Sequence, residues 1–498
     1  MKKILIPILL FIMLQLNAQQ TKRPNIILFL IDDMGWMDSS VPFGDSIGFL
    51  NKQFRTPNLE LLAKQGVKFT NAYSNSVCTP TRTSILTGMN VTQHGVTNWT
   101  SPVKNNSTDA KDDQFNPAPW KINGVDIKSI TTYPQLLKQA GYYTIHVGKA
   151  HWGPAGTPMS NPLNVGFMVN IAGHAAGHPQ SYYGKDNYGN IPGKSTYQSV
   201  PDLMNYHGSD TNLTEALTLE AINSIEEPIR LKMPFYLNMS HYAVHVPIQP
   251  DVRFYQSYLD VGLDTPYAKY ASMVASMDKS LGDIMKYLSA KNIANNTIII
   301  FMSDNGGLSL SGARGKNAHV QNLPLRAGKG SLYEGGIRVP MIVKWPEFAK
   351  ANTSNNQYVI AEDFFPSILE MAGVSNTKTI QRVDGKSFVP LLKNNKLSDT
   401  NRILVWHYPN KWIEGDGPAI NYKSAIRQGS WKLIYDLRNG HKELYNLSND
   451  IGEYIDLSKQ QPAKTKQMSI LLKDILEKNN APMPSYKINS KKVEILID

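Results

Sequence analysis

The 498-residue chain contains a single cysteine, Cys78. One thiol cannot close an internal disulfide, so a cross-linked small-domain scaffold is excluded. The lone sulfur is therefore either an inert core atom or a chemical one. Charge is also scarce, at 18% of residues against 41% hydrophobic. That balance excludes a disordered polyelectrolyte and fits a globular body with one large core and a smaller second domain. Beyond the N-terminal segment no run is long and apolar enough to read as a membrane span, and no internal repeat is present.

What stands at the N-terminus is MKKILIPILLFIMLQLNAQQ. Lys2 and Lys3 precede the apolar stretch Ile4 to Leu16, and Ala18 offers a small residue for cleavage. The pattern predicts a secretory signal peptide over 1–18 and an exported product, periplasmic or secreted. No cysteine stands at the cleavage point, which argues against a lipoprotein anchor. The formal net charge of +11 falls to +9 once the two lysines leave. A basic exported protein suits a polyanion, and on charge alone nucleic acid and sulfated glycan are both candidates.

Short apolar runs at Ile26–Ile31, Tyr142–Val147, Pro234–Met239 and Thr297–Met302 read as buried strands of a parallel sheet. Each runs into a polar cluster: Asp32-Asp33, Gly148-Lys149, His241 to His245, and Ser303-Asp304-Asn305. In open α/β sheets, sites gather at the carboxyl ends of strands. Helical spacing is expected over 58–65, 132–140, 211–225 and 267–288. The fold class is therefore α/β, a large mixed, mostly parallel sheet flanked by helices. Strands over 402–408 and 424–435 and a helix over 463–479 predict a smaller C-terminal α+β domain with an antiparallel sheet. The expected division is 19–385 and 386–498. Segments 101–125 and 153–201, rich in Gly, Pro, Asn and Ser, read as long functional loops.

Cys78-Thr79-Pro80-Thr81-Arg82 carries the chemistry. Pro80 fixes the backbone after the cysteine, and Arg82 lies one helical turn along, where a cation favours thiolate chemistry. With Leu86-Thr87-Gly88 behind it, this segment resembles the signature of the type I sulfatases of the alkaline phosphatase superfamily. The resemblance spans nearly the whole mature chain. It includes Asp32-Asp33-Met34-Gly35, Gly148-Lys149-Ala150-His151-Trp152, His245-Val246-Pro247, Ser303-Asp304-Asn305-Gly306 and Gly328-Lys329-Gly330.

The resemblance implies that a maturation enzyme oxidises Cys78 to Cα-formylglycine. It implies calcium held by Asp32, Asp33, Asp304, Asn305 and the modified residue 78. The oxygen donors themselves suit any hard divalent cation, so magnesium stays open. It further implies a sulfate gripped by Lys149, Lys329 and His245. One hydroxyl of the hydrated aldehyde, stabilised by metal and Arg82, would attack sulfur. His245 would protonate the departing oxygen, and His151 would take the proton of the second hydroxyl as sulfate is expelled. His241, His174 and His178 have no assigned role, although the latter two could touch substrate. The expected substrate is a sulfated polysaccharide or its oligosaccharides, with algal polymers such as ulvan or carrageenan favoured, and the aromatic loop Tyr182-Tyr183 to Tyr188 could stack on sugar. Neither nucleic acid nor membrane is an expected partner. The alternatives are a phosphate or phosphonate ester hydrolase of the same superfamily and an inactive glycan-binding relative.

Overall fold

The computed structural model describes residues 23–497 apart from 45, 104–111, 309–321, 376, 395–396, 398, 400 and 413–418. The expected signal peptide lies outside the described residues.

The main sheet has eight strands: β1 (Asn25–Ile31), β2 (Val67–Phe69), β3 (Tyr143–Gly148), β4 (Val169–Ile171), β5 (Phe235–Ser240), β6 (Thr297–Ser303), β7 (Met341–Lys344) and β8 (Thr353–Asn355). Their order is β8-β2-β7-β6-β1-β5-β3-β4. Only β7 runs against its neighbours β6 and β2; the other pairings are parallel. The strands expected from the unbroken apolar runs are β1, β3, β5 and β6, and they are contiguous at the centre. Both faces of these strands are covered, which is why they lack polar alternation. Along β1, Ile27, Phe29 and Ile31 pack on one side with α1 (Pro57–Gln65), α4 (Leu213–Arg230) and α5 (Thr265–Ala290). Ile26, Leu28 and Leu30 pack on the other side with α2 (Cys78–Thr87), α3 (Tyr133–Gln139) and α6 (Phe364–Met371). Segment 153–201 is not all loop: its residues Val169–Ile171 extend the sheet as an edge strand.

Beyond α6 lies a four-stranded antiparallel sheet of β9 (Ile403–Tyr408), β10 (Lys423–Gln428), β11 (Trp431–Asp436) and β12 (Lys442–Asn446). Its period-two pattern makes two faces. Val405, Ile426, Leu433 and Leu444 meet Met468, Leu472 and Leu476 of α7 (Pro462–Lys478). Leu404, Trp406, Ala425 and Ile434 turn the other way, onto Tyr73, Val77 and Ile337 of the main body. Trp406 Nε1 donates to the Ser74 carbonyl at 2.8 Å.

A buried charge cluster fastens this seam. Lys432 Nζ lies 2.9 Å from Glu334 Oε1 and 2.8 Å from Glu453 Oε1, with all three side chains out of solvent. Tyr73 donates to Glu334 Oε2 at 2.7 Å. Burial pushes the Glu334 carboxyl up, but Lys432, Arg427 and Arg338 outweigh it and hold the pKa at about 2. Lys432→Met is expected to destabilise the protein by about 3–5 kcal/mol, because it leaves Glu453 buried without the cation it contacts and leaves Glu334 only the more distant Arg338 and Arg427. Denaturant unfolding measures this, and an unchanged midpoint would show that the cluster does not hold the seam.

Candidate active site

The site is level because the strands are in register. Leu30 pairs with Ser240 and with Met302, and Ser240 pairs with Gly148. The residues that follow, Asp32-Asp33, Lys149, His241 to His245 and Asp304-Asn305, therefore emerge at one height along the sheet edge. Gly148 permits the tight approach of β3 and β5: at its φ of +95°, an added Cβ would meet the Ser240 carbonyl oxygen at 2.0 Å. The adjacent Lys149 N donates to that same carbonyl at 2.7 Å.

Cys78 opens α2 as its first residue, where the amide dipoles favour negative charge. Arg82 does not simply point back at the sulfur. Its guanidinium is tied to Asp304 Oδ2 (Nε 2.9 Å, Nη2 2.8 Å), to the Lys149 carbonyl (2.9 Å) and to Ser240 Oγ (2.6 Å). The expected thiolate-favouring effect is also overridden. Burial pushes the Cys78 thiol pKa up, against the lowering influence of Lys149 and Lys329. As a thiol, position 78 is a protonated and poor nucleophile.

Cys78 Sγ lies 3.3 Å from His151 Nδ1, and His151 Nε2 lies 2.8 Å from the Thr100 carbonyl oxygen. A carbonyl can only accept, so Nε2 carries the proton and Nδ1 presents its lone pair to position 78. Burial, with Lys149 beside it, holds the His151 pKa well below its ordinary value. The ring is a neutral acceptor aimed at residue 78.

Lys149 Nζ contacts Asp32 Oδ2 at 2.6 Å, and Lys329 Nζ contacts Asp33 Oδ1 at 2.7 Å. Lys329 Nζ also lies 2.9 Å from His245 Nε2. His245 Nδ1 lies 3.2 Å from the Val246 carbonyl, so Nδ1 donates there and Nε2 accepts from Lys329. Burial, and then Lys329, hold the His245 pKa well below normal.

Asp32, Asp33, Asp304 and Asn305 converge with every side chain buried. Asp33 N donates to Asp304 Oδ1 at 3.3 Å, and Asn305 Nδ2 donates to Asp33 Oδ1 at 2.7 Å. Asp32 Oδ1 and Asn305 Oδ1 are buried oxygens without a hydrogen-bond partner. Burial and then Asp304 push the Asp32 pKa well up, the mark of crowded carboxylates short of positive charge. Two orphaned oxygens amid acidic neighbours fit a hard divalent cation. Among the described residues, Asp32, Asp33 and His245 bring ligand atoms within 4.8 Å of one another. That group brings His245 beside the two aspartates and includes neither Asp304 nor Cys78.

Above this floor opens a cleft of about 440 Å³ lined by Cys78, His151, His245 and Lys329 together with Trp99, Tyr197 and Trp412. His178 also lines it, its ring stacked on His245 at 5.6 Å between centroids and 9° between planes. The other two unassigned histidines do not line this cleft. His241 Nε2 contacts Ser280 Oγ at 2.9 Å against α5, and the His174 carbonyl accepts from His151 N at 3.1 Å. Tyr182 and Tyr188 are core residues, with hydroxyls donating to backbone carbonyls, and the part-buried Tyr183 lines a separate pocket with Asp186 and Asp251, so none of the three lines this cleft. Sequence reasoning missed Thr100, Ser240 and Trp412. The first two work through a carbonyl or a small hydroxyl, which leave no motif, and the last arrives from the C-terminal sheet.

The "Sulfatase" family model matches residues 24–374, and the "N-sulphoglucosamine sulphohydrolase, C-terminal" model matches 328–481. A sulfatase of Formosa agariphila is 30% identical over 530 aligned positions, covering 96% of this chain and 93% of that one. Human N-acetylgalactosamine-6-sulfatase is 31% identical, covering 93% and 87%. Among solved structures, Ps i-CgsB superposes with a TM-score of 0.73 at 28% identity, covering 92% of this chain and 94% of that one. It has also been solved with k-i-k-neocarrahexaose. The acid-lined floor, the two lysines and the histidine aimed at residue 78 thus sit within a match that spans both domains, and the chain belongs to the sulfatase family, whose members are sulfuric ester hydrolases.

Proposed function

We propose that this enzyme removes sulfate from a sulfated carbohydrate, using Cα-formylglycine at position 78 and calcium. The observation that carries the reading is the neutral His151 Nδ1 lone pair 3.3 Å from the residue-78 side chain, with its tautomer set by Thr100. A base at that distance is useful only if residue 78 has a proton to give during turnover. Oxidised to formylglycine and hydrated, residue 78 supplies two hydroxyls on one carbon, one to attack sulfur and one to lose the proton that lets sulfate leave. Asp32, Asp33, Asp304 and Asn305 would hold calcium, which would supply positive charge near the reacting sulfate.

The chain's own residues divide the remaining work. Arg82, locked by Asp304 and Ser240, fixes the floor on which residue 78 sits. Lys149 and Lys329 give charge-assisted hydrogen bonds to sulfate oxygens. His151 Nδ1 accepts the proton of the second hydroxyl. His245 Nε2 delivers a proton to the leaving oxygen. An anion beside Nε2 raises its proton affinity, and Lys329 stands in hydrogen-bond contact with that atom.

Sugar substrates follow from the relatives: N-acetylgalactosamine sulfatases of human and Bacteroides thetaiotaomicron, and a structural neighbour solved with a carrageenan-type hexasaccharide. The leader-like segment 1–18 supports export of the enzyme, and the formylglycine reading calls for a maturation enzyme that modifies Cys78 beforehand. His245→Ala is expected to slow hydrolysis of sugar sulfates by about 10²–10⁴-fold while 4-nitrophenyl sulfate loses far less. A sugar alkoxide needs the proton and a nitrophenolate does not. Equal losses on both would instead make His245 a sulfate ligand.

A further inference from the structure

The cleft changes character with height. Its floor is charged or titratable, whereas the described walls above it are mainly apolar and aromatic: Trp99, Pro102, Val103, Tyr197, Leu308 and Trp412. Two of these rings come from distant parts of the chain. Trp412 belongs to the connection between β9 and β10, where its backbone N donates to Asn421 Oδ1 at 2.7 Å. Its indole lies over Gly330, the neighbour of Lys329. At φ +87° a Cβ on residue 330 would come within 2.1 Å of the indole Cζ3. The C-terminal sheet therefore walls the cleft directly beside a sulfate-binding lysine. Tyr197 comes from the Gly- and Pro-rich segment 153–201. It lines the same cleft yet remains 56% exposed, a large aromatic surface at the mouth.

A charged floor below aromatic walls matches one kind of ligand, an anion attached to a ring with a C–H face. A sulfated pyranose has both parts. Its sulfate needs cations, while the axial C–H bonds of its ring bring a weakly positive face to the negative face of an aromatic ring. We infer that Trp412 and Tyr197 determine specificity: Trp412 holds the sugar that bears the sulfate, and Tyr197 holds the next sugar of an oligosaccharide. This rests on the carbohydrate reading above and extends it from a sulfated sugar to at least two adjoining rings. Trp412, over Gly330 and thus one residue from Lys329, is too close to the sulfate to serve any ring but the first. Tyr197, at the exposed rim, has an uncovered face that only an extended ligand would reach.

The test uses the mature, calcium-loaded enzyme with a sulfated galactose-type monosaccharide and an oligosaccharide ending in that same residue. Trp412→Ala is expected to raise KM about tenfold on both, equivalent to about 1.4 kcal/mol. Tyr197→Ala is expected to raise KM more on the oligosaccharide than on the monosaccharide, by a ratio of about five. Trp412→Phe and Tyr197→Phe should recover most of the loss, because each keeps a flat ring. Inhibition by inorganic sulfate, which reads the floor alone, should move by less than about twofold in every variant. Unchanged KM values in both Ala variants would overturn the inference and leave the carbohydrate reading standing. So would a fall in kcat shared by the Ala and Phe variants, which would mark the rings as packing. A wild-type enzyme that hydrolyses 4-nitrophenyl sulfate but none of the saccharides would overturn the carbohydrate reading, and the two-ring platform with it.

Discussion

Cys78→Ala is expected to lower turnover of every sulfate ester by about 10⁴-fold or more, with little change in thermal stability. The large effect follows from the site's dependence on one side chain. The proton acceptor of His151 and the charges of Lys149 and Lys329 all converge on position 78, and none of them can supply a second nucleophile. The small effect follows from the surroundings, because Cys78 is the first residue of α2, where alanine supports a helix as well. Protein produced without a maturation enzyme should behave like the Ala variant, since burial keeps the thiol protonated. Mass spectrometry of the peptide containing residue 78 should find active protein lighter than the cysteine form by about 18 Da, a change distinct from sulfenic or sulfinic oxidation. Wild-type turnover in the Ala variant would remove residue 78 from the mechanism.

Chelation is expected to abolish activity, and added calcium to restore it. The non-catalytic signature is thermal stability. A ligand that binds only the folded state at a hundred times its Kd adds about 2.7 kcal/mol, so the melting temperature should climb with free calcium. The driving force is local. Asp32 Oδ1 and Asn305 Oδ1 have no hydrogen-bond partner, and burial, then Asp304 and Asp33, push the Asp32 pKa well up, so its charged form lacks the positive charge that a cation would supply. Asp32→Asn should weaken the calcium-induced stabilisation. Metal-free protein with full activity would sink the assignment, and so would a melting temperature indifferent to calcium.

The strands that carry the site were legible because they are buried on both faces. Full burial removes polar alternation, and Ile26–Ile31 and Thr297–Met302 stood out as unbroken apolar runs that the structure extends by a residue at one end, to Asn25–Ile31 and Thr297–Ser303. The ends of those strands were legible for the complementary reason. Asp32, Asp33, Asp304 and Asn305 are polar residues directly attached to a core, a combination that packing alone does not favour. The four-residue β7 was not legible, since so short a segment shows no period and its reversed direction depends on partners elsewhere. The tautomer of His151 was not legible either, because it is set by a carbonyl, and every residue has one. Arg82 shows the opposite failure. Its spacing from Cys78 pointed to thiolate activation, but tertiary contacts with Asp304 and Ser240 gave the guanidinium a different occupation, and desolvation decided the state of the sulfur.

The docking of the C-terminal sheet has a consequence in time. Trp406 reaches the Ser74 carbonyl across 332 residues of chain. Farther along the same seam, Tyr408 donates to Asn98 Oδ1 and Asn410 Nδ2 donates to Thr97 Oγ1, each at 2.8 Å. These bonds steady the 97–100 strip, whose last carbonyl orients His151. A ribosome delivers Cys78 long before it delivers any of those partners, so the growing chain passes through a period in which residue 78 is exposed and its surroundings are unbuilt. In the finished fold the cysteine is 3% exposed and too deep for another protein's active site to grasp. On the proposed mechanism, the oxidation of Cys78 would therefore belong to the interval between the emergence of residue 78 and the arrival of residue 410, and a chain that folded before modification would stay inactive.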